Sequence, residues 1–316
     1  TLVLGNNSAL GSGNLSASAG THLDSNAVLN LGNDLLLNGD LTFVGSHDLT
    51  LSGQLNGNGG LIKNGSNALR LDGSNSYQGS TVLNAGTLVL GHDKALGSSG
   101  LVANGTSMLL NAGVSELKNS LDVAGNLTLG TASALTLSGR ISGNGTLVKE
   151  GTGSVDVLDG TGFSGLYRVN SGRLNLLGSN PLGSLKINIG AAGSLGVGIN
   201  SAVDQLDGQG SIALSNNSLL TVSNGNYGGA ISGSGSLNKN GSGSLVLTGV
   251  SNLSGASSVS AGTLYVNGAG VLGTPSLTVA SGASLGGSGI LDGAVSIADG
   301  GHVIVNSGST LTTGPL

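Results

Sequence analysis

The sequence predicts an all-β chain, a right-handed single-stranded parallel β-helix (β-solenoid) of about 15 coils. Three observations predict it. The chain repeats itself every 86 to 90 residues. Runs of two to four residues rich in Leu, Val, Ile and Thr alternate with Gly, Asn and Ser turns, as in Leu127-Thr128-Leu129, Leu135-Thr136-Leu137 and Val155-Asp156-Val157. No segment offers ten residues of helical periodicity free of Gly, so helices are not expected beyond a turn.

The repeat rests on separate landmarks. Thr1-Leu2-Val3-Leu4-Gly5, followed by Ala9-Leu10-Gly11-Ser12, returns 86 residues later as Thr87-Leu88-Val89-Leu90-Gly91 and Ala95-Leu96-Gly97-Ser98. It returns more loosely at Arg173-Leu174-Asn175-Leu176, with Pro181-Leu182-Gly183-Ser184, and at Thr263-Leu264-Tyr265-Val266, with Val271-Leu272-Gly273. Leu49-Thr50-Leu51-Ser52-Gly53 recurs as Leu135-Thr136-Leu137-Ser138-Gly139, and the block around Leu61-Ile62-Lys63 recurs around Leu147-Val148-Lys149 and Leu237-Asn238-Lys239. One continuous β-helix, 1–316, is expected, with modules 1–86, 87–172, 173–262 and a partial 263–316. Both ends read as cut.

Short alternating strands also suit a sandwich or a barrel, but neither repeats every 86 residues. A solenoid does, because each coil buries its inner side chains only against its neighbours and equivalent positions stack. A coil of roughly 21 residues, judged from the spacing of turn signals, gives about four coils per module. At ~4.8 Å between stacked strands the chain would form a rod ~70 Å long. The four extra residues of the third module are assigned to a corner loop.

Composition agrees with such a core. Gly supplies 61 of 316 residues, yet there are only 3 Pro and 38% of residues are hydrophobic, which separates the chain from disordered Gly-rich sequence. Trp is absent and aromatics are 2%, so Leu, Val and Ile must fill the interior. Charged residues make up 8%, against roughly 25% in an ordinary soluble domain. The 10 Lys and Arg are scattered, with no basic run and no aromatic stacking platform, which excludes a nucleic-acid partner. Cys is absent, which excludes disulfides and thiolate chemistry and suits export through an oxidising compartment. No stretch reaches ~18 apolar residues, so direct membrane insertion is not expected, and any targeting signal is expected outside this chain.

Residues that suggest chemistry each meet a plainer reading. His22, His47, His92 and His302 are too dispersed for a metal site. Gly105-Thr106-Ser107-Met108 is similar to the serine motif of subtilisin-like proteases, but Leu109 and Leu110 follow it and no Asp or His motif precedes it. The strings Gly160-Thr161-Gly162-Phe163-Ser164-Gly165 and Gly268-Ala269-Gly270-Val271-Leu272-Gly273 match the dinucleotide pattern as often as chance allows in a chain so rich in Gly. Asp40, Asp72, Asp122 and Asp292 are isolated, and Asp156 with Asp159 and Asp204 with Asp207 read as turn residues rather than as a glycosidase pair. Lys63, Lys149 and Lys239 could form a cationic row about four coils, or ~19 Å, apart. A stem packed over a corner is the plainer reading for them. Tyr77, Phe163 and Leu253 share one module position and read as core, and Thr310-Leu311-Thr312 is a lone Thr-x-Thr rather than an ice-binding array. No catalytic residue, metal site or cofactor is assigned.

Gly59-Gly60-Leu61-Ile62-Lys63-Asn64-Gly65, Leu69-Arg70-Leu71, Asn75-Ser76-Tyr77-Gln78-Gly79, Thr81-Val82 and Ala85-Gly86-Thr87-Leu88-Val89-Leu90 together resemble the passenger-associated transport repeat of autotransporters. The second copy departs at Phe163 and Arg173 and the third at Leu253, while Leu285-Gly286-Gly287-Ser288-Gly289 is similar to the Gly-rich stretch that often follows. The resemblance implies a passenger of Gram-negative type V secretion, sent through periplasm and outer membrane to the cell surface or medium. It also implies an outer-membrane β-barrel translocator as partner, outside this chain. The expected role is a non-catalytic stalk supporting an upstream functional region. The alternatives are an adhesin or self-associating surface that binds a host glycan, a host protein or a second copy, and, third, a glycan-cleaving enzyme.

Overall fold

The computed structural model describes residues 1–178, 185–305 and 308–314. Among them every regular element is a β-strand and every strand pairing is parallel, in a solenoid of about 15 turns. Parallel strands joined by crossovers take the right-handed course. The chain falls into two compact units, Thr1–Phe163 and Ser164–Leu316.

In the first unit each turn has three sides. Side I is a sheet of 9 strands that includes Leu2–Leu4, Thr21–Ser25, Leu41–Phe43, Leu61–Lys63 and Thr81–Leu83. Side II includes Leu29–Leu31, Leu49–Leu51, Ala68–Leu71, Gly86–Leu90, Thr106–Asn111 and Thr146–Glu150. Side III includes Leu15–Ala17, Leu35–Leu37, Leu55–Gly57, Glu116–Leu117, Leu135–Leu137 and Ser154–Val157. On side I, Leu41 pairs with Leu61, Leu61 with Thr81, Thr81 with Leu101 and Leu101 with Leu121, so one turn is 20 residues. The expected coil of roughly 21 was one residue too long.

These segments form strands because their residues alternate. Leu49 and Leu51 point inward, 6% and 0% exposed, while Thr50 between them is only half-buried. Stacking places Leu29, Leu49 and Leu69 in one ladder and Leu31, Leu51 and Leu71 in the next. Each fully buried Leu contributes roughly 1.5–3 kcal/mol, and a three-residue strand buries two of them, so the core is made of many small equal increments. Corners need Gly where the chain turns beneath its neighbour. Gly57 has φ +106°, and a Cβ there would lie 2.3 Å from the Leu37 carbonyl oxygen. Gly143, 86 residues on, has φ +100° and the same 2.3 Å approach to the Val123 carbonyl oxygen.

The module is out of phase with the turn. Leu2 stands on side I and its equivalent Leu88 on side II. Leu49–Leu51 is on side II and Leu135–Leu137 on side III; Leu61–Lys63 is on side I and Thr146–Glu150, with Lys149, on side II. The repeat of 86 exceeds four 20-residue turns by six residues, the length of one side. The expectation of about four coils per module is therefore corrected to four and a third. The shift is tolerated because each side is the same object, a short strand followed by a corner, and a module spliced one side onward still presents alternating Leu to the core.

In the second unit the turns are less uniform. Pairings step by 19 residues at Ile187–Leu206, 17 at Leu195–Ile212 and 21 at Leu264–Leu285. Leu166–Leu176 and Lys186–Val197 are long strands that carry pairing across two sides, with the register shifting between Val169 and Ser171. Leu174 belongs to the ladder of Leu195, Ile212 and Ile231, whereas Leu264 belongs to that of Leu245 and Leu285. The third module therefore runs four turns and two sides. Its four extra residues are not an insertion in a corner, as expected, but an added side offset by shorter turns.

Candidate functional site

Ionisable side chains are scarce, so where each one sits decides what the chain can do. Lys63, Lys149 and Lys239 are 1%, 2% and 0% exposed. Each occupies an inward strand position and turns its ammonium to the carbonyls of the following corner. Lys63 Nζ donates to the oxygens of Gly65 and Ala85; Lys149 Nζ donates to those of Glu150 (2.7 Å) and Gly151 (2.8 Å); Lys239 Nζ donates to those of Gly241 (2.8 Å) and Ala261 (3.0 Å). Burial removes water from the charged form and pushes Lys63 down from 10.5 to about 8, against a smaller opposing pull from Asp48. Burial lowers Lys149, with Glu150 opposing, and lowers Lys239. No cationic row exists: Lys63 and Lys149 stand on different sides, and all three are interior locks rather than stems laid over a corner. The sequence carried the signal, since Leu61 and Lys63 share strand parity.

A prediction on pH follows from these groups. The unfolded lysines hold protons up to about 10.5 while folded Lys63 releases its proton near 8, so the unfolded state binds more protons in that window and stability rises with pH. Burial raises the phenols of Tyr77, Tyr167 and Tyr227 above their ordinary 10.0. Above that value the unfolded tyrosines lose protons that the folded ones keep, and stability falls. We expect the urea midpoint to climb from pH 7.5 to a maximum at about pH 9–10 and then decline. A midpoint that is flat or falling from pH 7.5 to 9 would contradict the buried-lysine account.

The acids stitch one turn to the next. Asp34, Asp40 and Asp48 each accept a backbone N–H from the residue 20 positions on, Gln54, Gly60 and Ala68, at 2.8 Å in every case. Asp207 accepts the N–H of Asn226, 19 positions on, at 2.9 Å. Asp72 pairs with Arg70 two residues earlier, Nε to Oδ1 2.7 Å. Asp159 closes a turn by accepting the Thr161 N–H and hydroxyl, at 3.0 and 2.7 Å, which hold its carboxyl below the usual range. Asp159 and Asp207 thus sit as turn and stitching residues. His47 Nδ1 lies 2.9 Å from the Ser25 carbonyl one turn below, and His92 Nδ1 accepts the Lys94 N–H at 3.0 Å. Among the described residues no three His, Asp or Glu gather as a metal would require.

The other sequence motifs fall in strands and in the core. Ser107 is buried within Thr106–Asn111. The two Gly-rich strings lead into the short strands Gly162–Phe163 and Val271–Gly273 and open no helix. Tyr77, Phe163 and Leu253 are 0%, 5% and 2% exposed. Tyr77 shares a 2.6 Å hydrogen bond with Thr81 in the interior.

The outward surface carries a polar groove. Where the loop after Gly86–Leu90 takes the place of a side III strand, a groove of about 460 Å³ opens, lined by Asp93, Lys94, Ser98, Ser115, Glu116 and Lys118 among others. In a chain with 10 basic and 15 acidic residues, two of each line this groove. Asp93 Oδ1 accepts the Ser115 N–H at 3.0 Å, and Lys118 Nζ lies 3.4 Å from Glu116 Oε2. The Ser138 hydroxyl, donating at 2.7 Å, is the main cause holding the Glu116 carboxyl below its ordinary range. A general acid needs the opposite shift, so Glu116 is not tuned as one. Its composition was invisible in sequence, because its two lips come from different turns.

Comparison with known proteins places this geometry. The passenger-associated-transport-repeat model matches residues 61–90 and 237–266, the segments that contain Lys63 and Lys239 and the corners they lock. The chain carries the passenger-associated transport repeat found in autotransporters. The copy around Lys149, which departs at Phe163 and Arg173, lies outside the matched ranges. The chain is 35% identical over 184 residues to the Adhesin BmaC autotransporter of Brucella suis biovar 1 (strain 1330), an alignment covering 55% of this chain and 5% of that protein. The chain thus spans a small fraction of that relative's length. No solved structure matches it at a significant level. A passenger of this kind is exported to the cell surface or the extracellular space.

Proposed function

We propose that this segment is a non-catalytic β-helical stalk of a longer passenger, delivered through an outer-membrane β-barrel translocator outside this chain and holding an upstream functional region away from the cell. The observation that carries the reading is the use of the ionisable groups. Three lysines are locked inside, and Asp34, Asp40, Asp48 and Asp207 hold neighbouring turns together. Charge is spent on register and stiffness, which is what a spacer requires.

A second reading is adhesive, favoured by the relative named as an adhesin and by the polar groove at Asp93 to Ser120. Beads coated with the purified chain separate the two. A stalk leaves beads dispersed and free of host cells and matrix; an adhesive segment clusters them or retains them on cells. Release of reducing ends from polysaccharides by the purified chain would overturn the non-catalytic reading.

A further inference from the structure

The groove at Asp93 to Ser120 has a twin. A second polar groove, of about 380 Å³, is lined by Asn7, Ser8, Ser12, Asn14, Asn33 and Asp34 among others. The two correspond residue by residue at the module interval of 86: Asn7 to Asp93, Ser8 to Lys94, Gly11 to Gly97, Ser12 to Ser98, Asn33 to Asn119 and Asp34 to Ser120.

Their frames are built alike. In the first loop Ala9 N–H donates to Asn6 O at 3.2 Å and Gly11 N–H to Ser8 O at 2.9 Å; in the second Ala95 N–H donates to His92 O at 2.9 Å and Gly97 N–H to Lys94 O at 3.1 Å. Gly11 and Gly97 have φ +60° and +61°. From the next turn Asn33 Nδ2 donates to the carbonyls of Gly11 (3.0 Å) and Gly13 (2.7 Å), and Asn119 Nδ2 donates to those of Gly97 (3.2 Å) and Ser99. A tight loop clamped by an asparagine from the neighbouring turn is a rigid cradle, so a ligand would meet little ordering cost on the protein side.

The linings differ where the frames agree. Both copies keep serine hydroxyls and backbone polar groups at the mouth. The second exchanges Asn7, Ser8 and Gly32 for Asp93, Lys94 and Lys118. Neither lining includes a large apolar side chain, so a matching ligand presents hydrogen-bonding groups over most of its surface. Both volumes fall in the range of about 300–1,000 Å³ common to small-ligand sites. Because the module is out of phase with the turn, the first loop stands over side II and the second over side III.

We propose that the two grooves are carbohydrate-binding subsites, each taking a short oligosaccharide through its hydroxyls, with the side-chain exchanges setting which sugar each prefers. This rests on the adhesive reading of the passenger and adds the ligand class to it. Because the two subsites face different sides, each would engage its own glycan chain independently of the other.

The test uses the full chain, labelled, on a printed array of neutral, N-acetylated and sialylated oligosaccharides, followed by calorimetry with whichever oligosaccharide is best retained. Lys94 and Lys118 are exposed or border solvent, so Lys94→Ala/Lys118→Ala leaves the far-UV spectrum unchanged. We expect that double variant to lose at least about tenfold in affinity for the sugar held by the second groove, while Ser8→Ala/Ser12→Ala affects only the sugar held by the first. An array on which nothing is retained, or retention that both variants leave unchanged, overturns the proposal. Beads coated with the Lys94→Ala/Lys118→Ala chain that still bind cells as well as wild type overturn the second groove's role but leave the adhesive reading standing. Wild-type beads that bind no cells overturn that reading itself.

Discussion

Lys239→Ala is expected to destabilise the turns around it by about 3 kcal/mol. The side chain is fully buried, and its ammonium bonds the carbonyl oxygen of Gly241 in its own corner and of Ala261 one turn on. Truncation leaves both part-buried carbonyls without that donor, at about 1 kcal/mol each, and opens a cavity where the four-carbon stem lay. Relief from holding a cation away from water offsets part of this, as the lowered pKa indicates. Lys239→Met refills most of the cavity and forfeits only the hydrogen bonds, so it should cost about half as much. Each turn contacts chiefly its neighbours, so hydrogen exchange is the fitting measurement. Protection should fall over residues near 220–280 and hold near 21–63. Uniform protection, or a loss under about 0.5 kcal/mol, would mean that the lysine is a passive filler.

The other large effect is expected at a corner. Gly57→Val should cost about 4 kcal/mol or more, because two penalties add. At φ +106° a β-branched residue is strained, and the new Cβ would lie 2.3 Å from the Leu37 carbonyl oxygen, a backbone atom fixed by its own turn. The variant should lose side III pairing between Leu35–Leu37 and Leu55–Gly57, seen as protease cleavage near residue 57 at temperatures where the parent resists. Gly32 is the control: a Cβ there meets nothing within 4 Å, and Gly32→Ser should change stability by less than about 0.5 kcal/mol. Equal behaviour of the two variants would refute the steric account.

Much of this was legible in the chain. Two-fold alternation in Leu49-Thr50-Leu51 marks an inward, outward, inward strand, and the structure places the three residues so. Recurrence of Tyr77 as Phe163 and Leu253 marks a core position, and all three are buried. Parity also marked Lys63 as inward, but the general reluctance to bury a lysine favoured a corner stem. That reluctance is overcome here because the corner supplies carbonyls to receive the ammonium. The groove was not legible, since Asp93 and Glu116 are 23 positions apart in sequence and become neighbours only when 20-residue turns stack.

The sequence by itself determined that the chain is all strand, that its core is aliphatic and that it is assembled from copied modules, because these follow from composition, alternation and recurrence along one dimension. Only the tertiary structure decided the phase between module and turn. Recurrence counts residues, whereas phase depends on how many residues the corners consume, and those corners are set by backbone contacts such as Gly57 against Leu37 and Gly143 against Val123. With the turn at 20 residues rather than roughly 21, a repeat of 86 carries each copied feature one side around the helix. That remainder of six residues separates Lys63 from Lys149 and turns the two grooves toward different sides.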